Sequence, residues 1–220
     1  MLFSLRLSLQ VAACATVLTF LVGTVLAYVL ARKHFRGKEV LDLLVTMPMV
    51  LPPVVTGYYL VTLIGRNGLL GKAFHGLTGG ELSIMFTWYA AVLASFIVSL
   101  PLMVKTARAA IESVDQELID ASYTLGRSEG ETAVRVVIPL ARKGIIAGLT
   151  LAFARALGEC GATIMVAGNI PGKTNTMPLE IYNEVVYGQW GRALGMVLFF
   201  TTFCCVFIYV ANRLGKGVRY

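Results

Sequence analysis

Arg155 and Glu159 stand four residues apart, and they are the only ionised side chains inside any long apolar stretch of this 220-residue chain. On a helix that spacing stacks them one turn apart on one face. An unpaired arginine at the centre of a bilayer costs about 2.5–3.5 kcal/mol on insertion scales. A carboxylate one turn away offsets part of that through a charge-assisted hydrogen bond. Two roles fit: the pair holds its segment against neighbours or a second copy, or Arg155 faces a pathway and helps an anion across. Other chemistry is sparse. Ala167, four residues, then Gly172-Lys173-Thr174 satisfies the loose form of a nucleotide-binding loop, but such a loop follows a strand and opens a helix. This one follows an apolar stretch and contains Pro171. Cys14, Cys160, Cys204 and Cys205 form no C-x-x-C pair, and His34 and His75 are isolated, so no metal site is expected. Nothing supplies a nucleophile with a neighbouring base. An intramembrane enzyme using Glu159 would need a second catalytic group in an apolar stretch, and none is visible.

The elements that carry these residues are hydrophobic. Apolar side chains make up 57% and charged ones 14%, against roughly 25% charged in soluble chains. A disordered tail, a secreted disulfide scaffold and a soluble enzyme are excluded on that ground. Five stretches reach the ~20 residues that span a bilayer as helix: 7–31, 43–64, 82–104, 144–168 and 193–212. Together they cover 115 residues with 2 charges, while the other 105 residues hold 29, about 28%. Thirteen lysines and arginines fall after the first stretch, between the third and fourth, and in the tail that includes Arg219; five fall on the other side. The positive-inside rule then sets the N-terminus outside and the C-terminus in the cytoplasm. The first stretch is longer than the about 7–15 residues of a signal peptide core and reads as an anchor. The net charge of +7 belongs mostly to cytoplasmic segments and does not argue for nucleic acid.

Residues 105–143 form the long cytoplasmic segment. Its composition predicts helix, a sharp turn between Gly126 and Gly130, then helix again. Gly126 permits a turn that a side chain would obstruct. Small Ala121 and Ser122 let a helix face sit close to a partner, and Pro139 sets where the return helix begins. In the second stretch, Pro48, Pro52 and Pro53 interrupt helical hydrogen bonds, either as a gate or pathway lining or as a packing kink. Gly144, Gly148, Gly158 and Gly161 offer small faces for helix packing. The bulky residues of the last stretch (Met196, Phe199, Phe200, Phe203, Phe207, Tyr209) read as lipid- and core-facing.

Asp120-Ala121-Ser122, three residues, Gly126, nine residues, then Val136-Val137-Ile138-Pro139 resembles the E-A-A-x3-G-x9-I-x-L-P motif of the membrane-spanning subunits of binding-protein-dependent ABC importers. Met47 to Gly57, Phe153 to Thr163 and Gly168 to Thr174 with Thr176 and Pro178 look like stretches of molybdate permeases, Cys160 standing where that group usually has Phe. The resemblance runs over nearly the whole chain. It implies an all-α integral membrane protein of about five transmembrane helices, similar to type I importer permeases, as one domain over 1–220 with residues 105–143 as its coupling helix pair. It implies ATPase coupling through Asp120, Ala121, Ser122, Gly126, Val136, Ile138 and Pro139, and a path past Pro48, Pro52, Pro53, Arg155 and Glu159. The partners implied are a second copy, two cytoplasmic ATPases that carry ATP and Mg, and a periplasmic molybdate-binding protein. This chain would hold no cofactor and sit as a multi-pass protein of the inner membrane. Tungstate and sulfate permeases are close relatives of that group. A purely structural scaffold is the remaining class, and the coupling spacing argues against it.

Overall fold

The computed structural model describes residues 1–66, 68–78 and 84–216, and it is helical with no strand among them. The elements are α1 (Leu2–Arg32), α2 (Lys38–Val50), α3 (Pro53–Ile64), α4 (Leu69–Thr78), α5 (Trp88–Glu112), α6 (Gln116–Thr124), α7 (Glu129–Thr132), a π-helical turn (Ala133–Val137), α8 (Ile138–Leu157), α9 (Gly161–Ala167), α10 (Met177–Val186) and α11 (Trp190–Lys216). Among the described residues, four helices are long and apolar enough to cross a membrane: Leu2–Arg32, Trp88–Glu112, the continuous Glu129–Leu157, and Trp190–Val210.

The second apolar stretch is not one helix. It is α2 and α3, of 13 and 12 residues, separated at Leu51 and Pro52. Leu51 is extended (φ −73°, ψ 143°), as a residue before proline prefers, and neither Pro52 nor Pro53 has an N–H to continue the ladder. The fourth stretch is interrupted too. Its helix begins at Glu129, well before the apolar run, and stops at Leu157; after three residues α9 resumes. The third begins as helix only at Trp88 and continues to Glu112. Its expected start at Leu82, like Arg219 in the tail, lies outside the described residues. The short α4 and α10 have no counterpart in the sequence reading, because neither is long enough to stand out by hydropathy.

α5 is the centre of the bundle: 67% of its most apolar window is buried, against 11% for α11. α1 runs parallel to it in constant register. Thr19 Oγ1 and Ser99 Oγ lie 3.1 Å apart, and a Cβ on Gly23 would fall 2.8 Å from Met103 Cγ. In lipid, such close approach of small residues replaces the hydrophobic effect as the force between helices. On the other side α8 presses Gly144 against Ala110 and Gly148 against Met103 and Thr106. Gly161 likewise packs, against Pro53, whereas Gly158 faces no neighbour closely. In α11, Met196 is buried and Phe207 stacks on Phe153 with centroids 4.3 Å apart, while Phe199 and Tyr209 are exposed.

Two apolar clusters result. One joins α1, α3, α5, α8 and α9 through Leu7, Leu60, Val98, Leu157 and Val166. The other joins α1, α2, α5, α6 and α8 through Leu30, Val45, Ile111, Ile119 and Ile145. The two half-helices that follow the breaks, α3 and α9, pack on each other. A Cβ on Gly57 would meet Met165 Cβ at 2.7 Å and Ala162 Cα at 2.9 Å. Gly57→Ala therefore forces α3 from α9 and is expected to cost about 1–3 kcal/mol. Gly76→Ala, with open space around it, leaves the melting temperature in detergent unchanged or raised. Equal melting of the two variants would refute the close packing.

Candidate functional site

The residues singled out by the sequence fall at two separate places. Asp120, Ala121, Ser122, Gly126, Val136, Ile138 and Pro139 lie on the hairpin of α6, α7 and the start of α8. Pro48, Pro52, Pro53, Arg155 and Glu159 lie at or near the two helix breaks.

The hairpin is built from local signals. Asp115 caps α6, its carboxylate accepting from Glu117 N at 3.0 Å. α6 ends in a Schellman turn: Arg127 N donates to Ser122 O (3.2 Å) and Gly126 N to Tyr123 O (2.9 Å), with Gly126 at φ +79°. Ser128 then opens α7 with a capping box, Glu131 N donating to Ser128 Oγ and Ser128 N to Glu131 Oε2. The spacing Ser128-x-x-Glu131 carries this signal in the sequence, and it was the missed marker of where the return helix begins. Pro139 does not begin that helix. It sits ten residues further in, where the π turn gives way to α geometry, and Ile138 N donates to Ala133 O across the widened turn. A proline obstructs the carbonyl four residues before it, and a widened turn relieves that conflict.

Ser122 serves the hairpin itself as well as lining its cleft. It is buried, with Oγ 2.9 Å from Thr132 Oγ1, so it fastens the two arms of the hairpin together. Ala121 is exposed, and Asp120 accepts from Gln116 Nε2 at 2.9 Å. Leu118, Ala121, Ser122, Leu125, Val136, Pro139 and Leu140 line an open cleft of about 410 Å³ together with Arg127 and Arg135. Leu125 is 79% exposed and Leu140 53%. Around the foot of the hairpin, Asp42 of α2 accepts from Lys105 Nζ (2.7 Å) and pairs with Arg108 (3.2 Å). The Lys105 hydrogen bond holds the Asp42 carboxyl below its ordinary range.

At the break between α8 and α9, Arg155 Nη1 lies 2.7 Å from Glu159 Oε2. The other carboxylate oxygen accepts from the backbone N–H of Ala162 at 2.7 Å. Glu159 thus supplies an acceptor where the interrupted helix leaves the first turn of α9 without one. The charges also suit the two helix ends: Arg155 is in the last turn of α8 and Glu159 precedes the first turn of α9. The Glu159 side chain is 1% exposed and that of Arg155 is 32%. A carboxylate enclosed this way has no open face for a substrate, which removes the ground for Glu159 as acid or base. Cys160 is half-buried in the same break, a free thiol like the other three. Pro53 touches Gly161 there, so the two breaks adjoin; Pro48 lies within α2, and Pro52 is exposed.

The loop containing Gly172-Lys173-Thr174 follows helix α9 and not a strand. Thr174 is buried and its hydroxyl accepts from Ile170 N, closing a turn on its own backbone. It has no phosphate-loop geometry.

Residues 19–220 match the family described as binding-protein-dependent transport system inner membrane component. The chain is 42% identical over 217 residues to the molybdenum transport system permease protein ModB of Haemophilus influenzae, covering 98% of this chain and 94% of that one. It is 37% identical over 222 residues to ModB of Azotobacter vinelandii, covering 99% and 96%. In fold it is similar to a bacterial ABC transporter involved in the import of the acidic polysaccharide alginate, with a TM-score of 0.80 and 14% identity over 100% of this chain and 80% of that chain. An inward-facing MetNI methionine ABC transporter gives 0.73 and 14%, covering 99% and 95%.

Two mutational series test these assignments. At the helix break, Glu159→Ala removes both bonds and Arg155→Ala leaves a buried carboxylate without its cation, so each is expected to melt below the wild type in detergent. Wild-type melting in Glu159→Ala would show that Glu159 does not close the break. At the hairpin, a Cβ on Gly126 meets nothing, so only its left-handed backbone resists replacement. Gly126→Ala is expected to cost about 1–2 kcal/mol and Gly126→Asn less, read as faster amide exchange across residues 122–127.

Proposed function

The chain belongs to the family of binding-protein-dependent transport system inner membrane components, and from that premise we propose that it is the membrane-spanning subunit of an ATP-driven importer for molybdate. The observation that carries the importer mechanism is the hairpin of α6, α7 and α8: a rigid, capped element with an apolar cleft exposed beside two arginines. It is the surface on which a cytoplasmic ATPase subunit docks. ATP and Mg belong to that partner, and this chain carries no catalytic residue and no cofactor. Closure of two ATPases moves the hairpins of two copies of this chain, and the spans switch between inward- and outward-facing states.

Residues 1–220 act as one transmembrane domain in the inner membrane, with 105–143 as its coupling segment. The N-terminus is outside and the C-terminus in the cytoplasm, supported by the excess of lysine and arginine around the hairpin end. A second copy covers part of the apolar surface that this chain leaves exposed, and a periplasmic binding protein delivers the oxyanion at the opposite end. The adjoining breaks at Pro52–Pro53 and Gly158–Cys160 form the part of the path nearest the middle of the membrane, with Pro48 one turn before the first. Irregular backbone is tolerated at that depth only where protein or a water-filled cavity surrounds it. Arg155 contributes the one partly exposed cation among the described residues of the apolar stretches, and Glu159 fixes its position.

The substrate rests on the identity to molybdenum transport permeases. Tungstate and sulfate are also tetrahedral dianions, and selection falls mainly to the binding protein. In proteoliposomes holding this chain, its ATPase and its binding protein, molybdate uptake should require ATP and be competed by tungstate more strongly than by sulfate. Preferential sulfate uptake would overturn the molybdate assignment. Leu118→Glu with Leu140→Glu should leave the permease folded and reduce ATPase capture at least about tenfold, equivalent to ~1.4 kcal/mol. Undiminished capture would remove the cleft from the docking surface.

A further inference from the structure

The hairpin is joined to α5 by only three residues, Ser113 to Asp115. A three-residue link is a natural hinge: it can absorb a displacement of α6 without passing it into the bundle. Arg32, the last residue of α1, spans this link. Its Nη2 donates to Ile111 O at 2.7 Å and to Val114 O at 2.8 Å, one carbonyl in the last turn of α5 and one in the link itself. Its Nη1 donates to Gln116 Oε1 at 3.0 Å, in the first turn of α6. Gln116 in turn donates to Asp120 of the coupling motif. One planar guanidinium therefore holds the end of α5, the link and the start of α6, a set of acceptors that a lysine ammonium could not hold in fixed relative geometry.

The next residue adds a second tie. Lys33 pairs with Glu129 at 2.6 Å, on the return arm of the hairpin. Both partners are about half exposed, so this pair contributes little by itself. α1 is itself held against α5 further back, where Thr19 meets Ser99 and Gly23 meets Met103.

We infer that Arg32 is a positioning residue for transport: it locks the α5–α6 hinge, so that a displacement of the hairpin reaches α1 and α5 as one lever. This rests on the importer reading above. The sequence presents Arg32 only as one of several basic residues following the first apolar stretch.

The test uses the assembled complex in proteoliposomes and reads ATP hydrolysed per molybdate imported. Arg32→Ala should raise that ratio at least fivefold with the ATPase still bound. Arg32→Lys, which keeps the charge but not the fork, should fall between it and the wild type. Gln116→Ala removes the bond from Arg32 Nη1 and the connection to Asp120 but leaves the two carbonyl bonds of Nη2, and should raise the ratio less. A wild-type ratio in Arg32→Ala overturns the inference. Where Arg32→Ala fails to assemble, wild-type ratios in both Arg32→Lys and Gln116→Ala overturn it. An independent readout needs no substrate. Spin labels at Val25 and Glu117, both exposed, should show a narrow distance distribution in the otherwise wild-type permease and a broad one in Arg32→Ala or Arg32→Lys. Unchanged width in both variants also sinks the lock. A wild-type complex that imports no molybdate, with the spin-label result as expected, would defeat the functional reading and leave the lock standing.

Discussion

A backbone carbonyl or amide in hydrocarbon has no water to turn to, so each interruption of a membrane helix must be repaired by the protein itself. Among the described residues, two of the five apolar stretches have a break between helices, and the two are repaired differently. At Leu51–Pro53 the prolines remove two donors along with the regular helix, which leaves fewer groups to satisfy. At Gly158–Cys160 the repair is ionic: Glu159 accepts the orphaned Ala162 N–H and the Arg155 guanidinium together. The charge pair is then a consequence of the break and a condition for it. A buried carboxylate requires a cation, and the cation at the end of α8 is tolerable only beside that carboxylate.

The breaks adjoin, through Gly161 on Pro53 and Gly57 on Ala162 and Met165. Their contact makes the two half-helices a single unit, anchored to the rest by α5 and α8. The hairpin end is organised on the opposite logic. There the backbone is outside the long apolar runs and is ordered by short-range caps: Asp115, the Schellman turn at Gly126, and the Ser128–Glu131 box. The two regions are connected by continuous helix, from Glu129 through the π turn to Leu157. A displacement at one end of that helix has a covalent, hydrogen-bonded route to the break at the other.

Much of this was legible in the residues. Hydropathy located the apolar stretches, and the spacing of Arg155 and Glu159 put them in contact on one face. The turn at Gly126 followed from glycine's backbone freedom. The bond of Ser122 to Thr132 was not legible, because small size does not say which hydroxyl stands across the hairpin; only the fold brings the two together. Pro139 was misjudged because proline can start a helix or be absorbed within one, and a widened turn leaves no composition signal.

Local and periodic features, which depend on neighbours within about one or two turns, were determined by the sequence itself: the all-helical class, the membrane location, the caps and the ion pair. Features made by residues far apart in the chain were decided by the tertiary structure. The break-to-break contact of α3 with α9, the Asp42–Lys105 tie and the grip of Arg32 on the α5–α6 link join positions from 63 to more than 100 residues apart. No periodicity specifies such a meeting; it follows from which helices pack closely enough, at their glycines and alanines, to bring those side chains within reach.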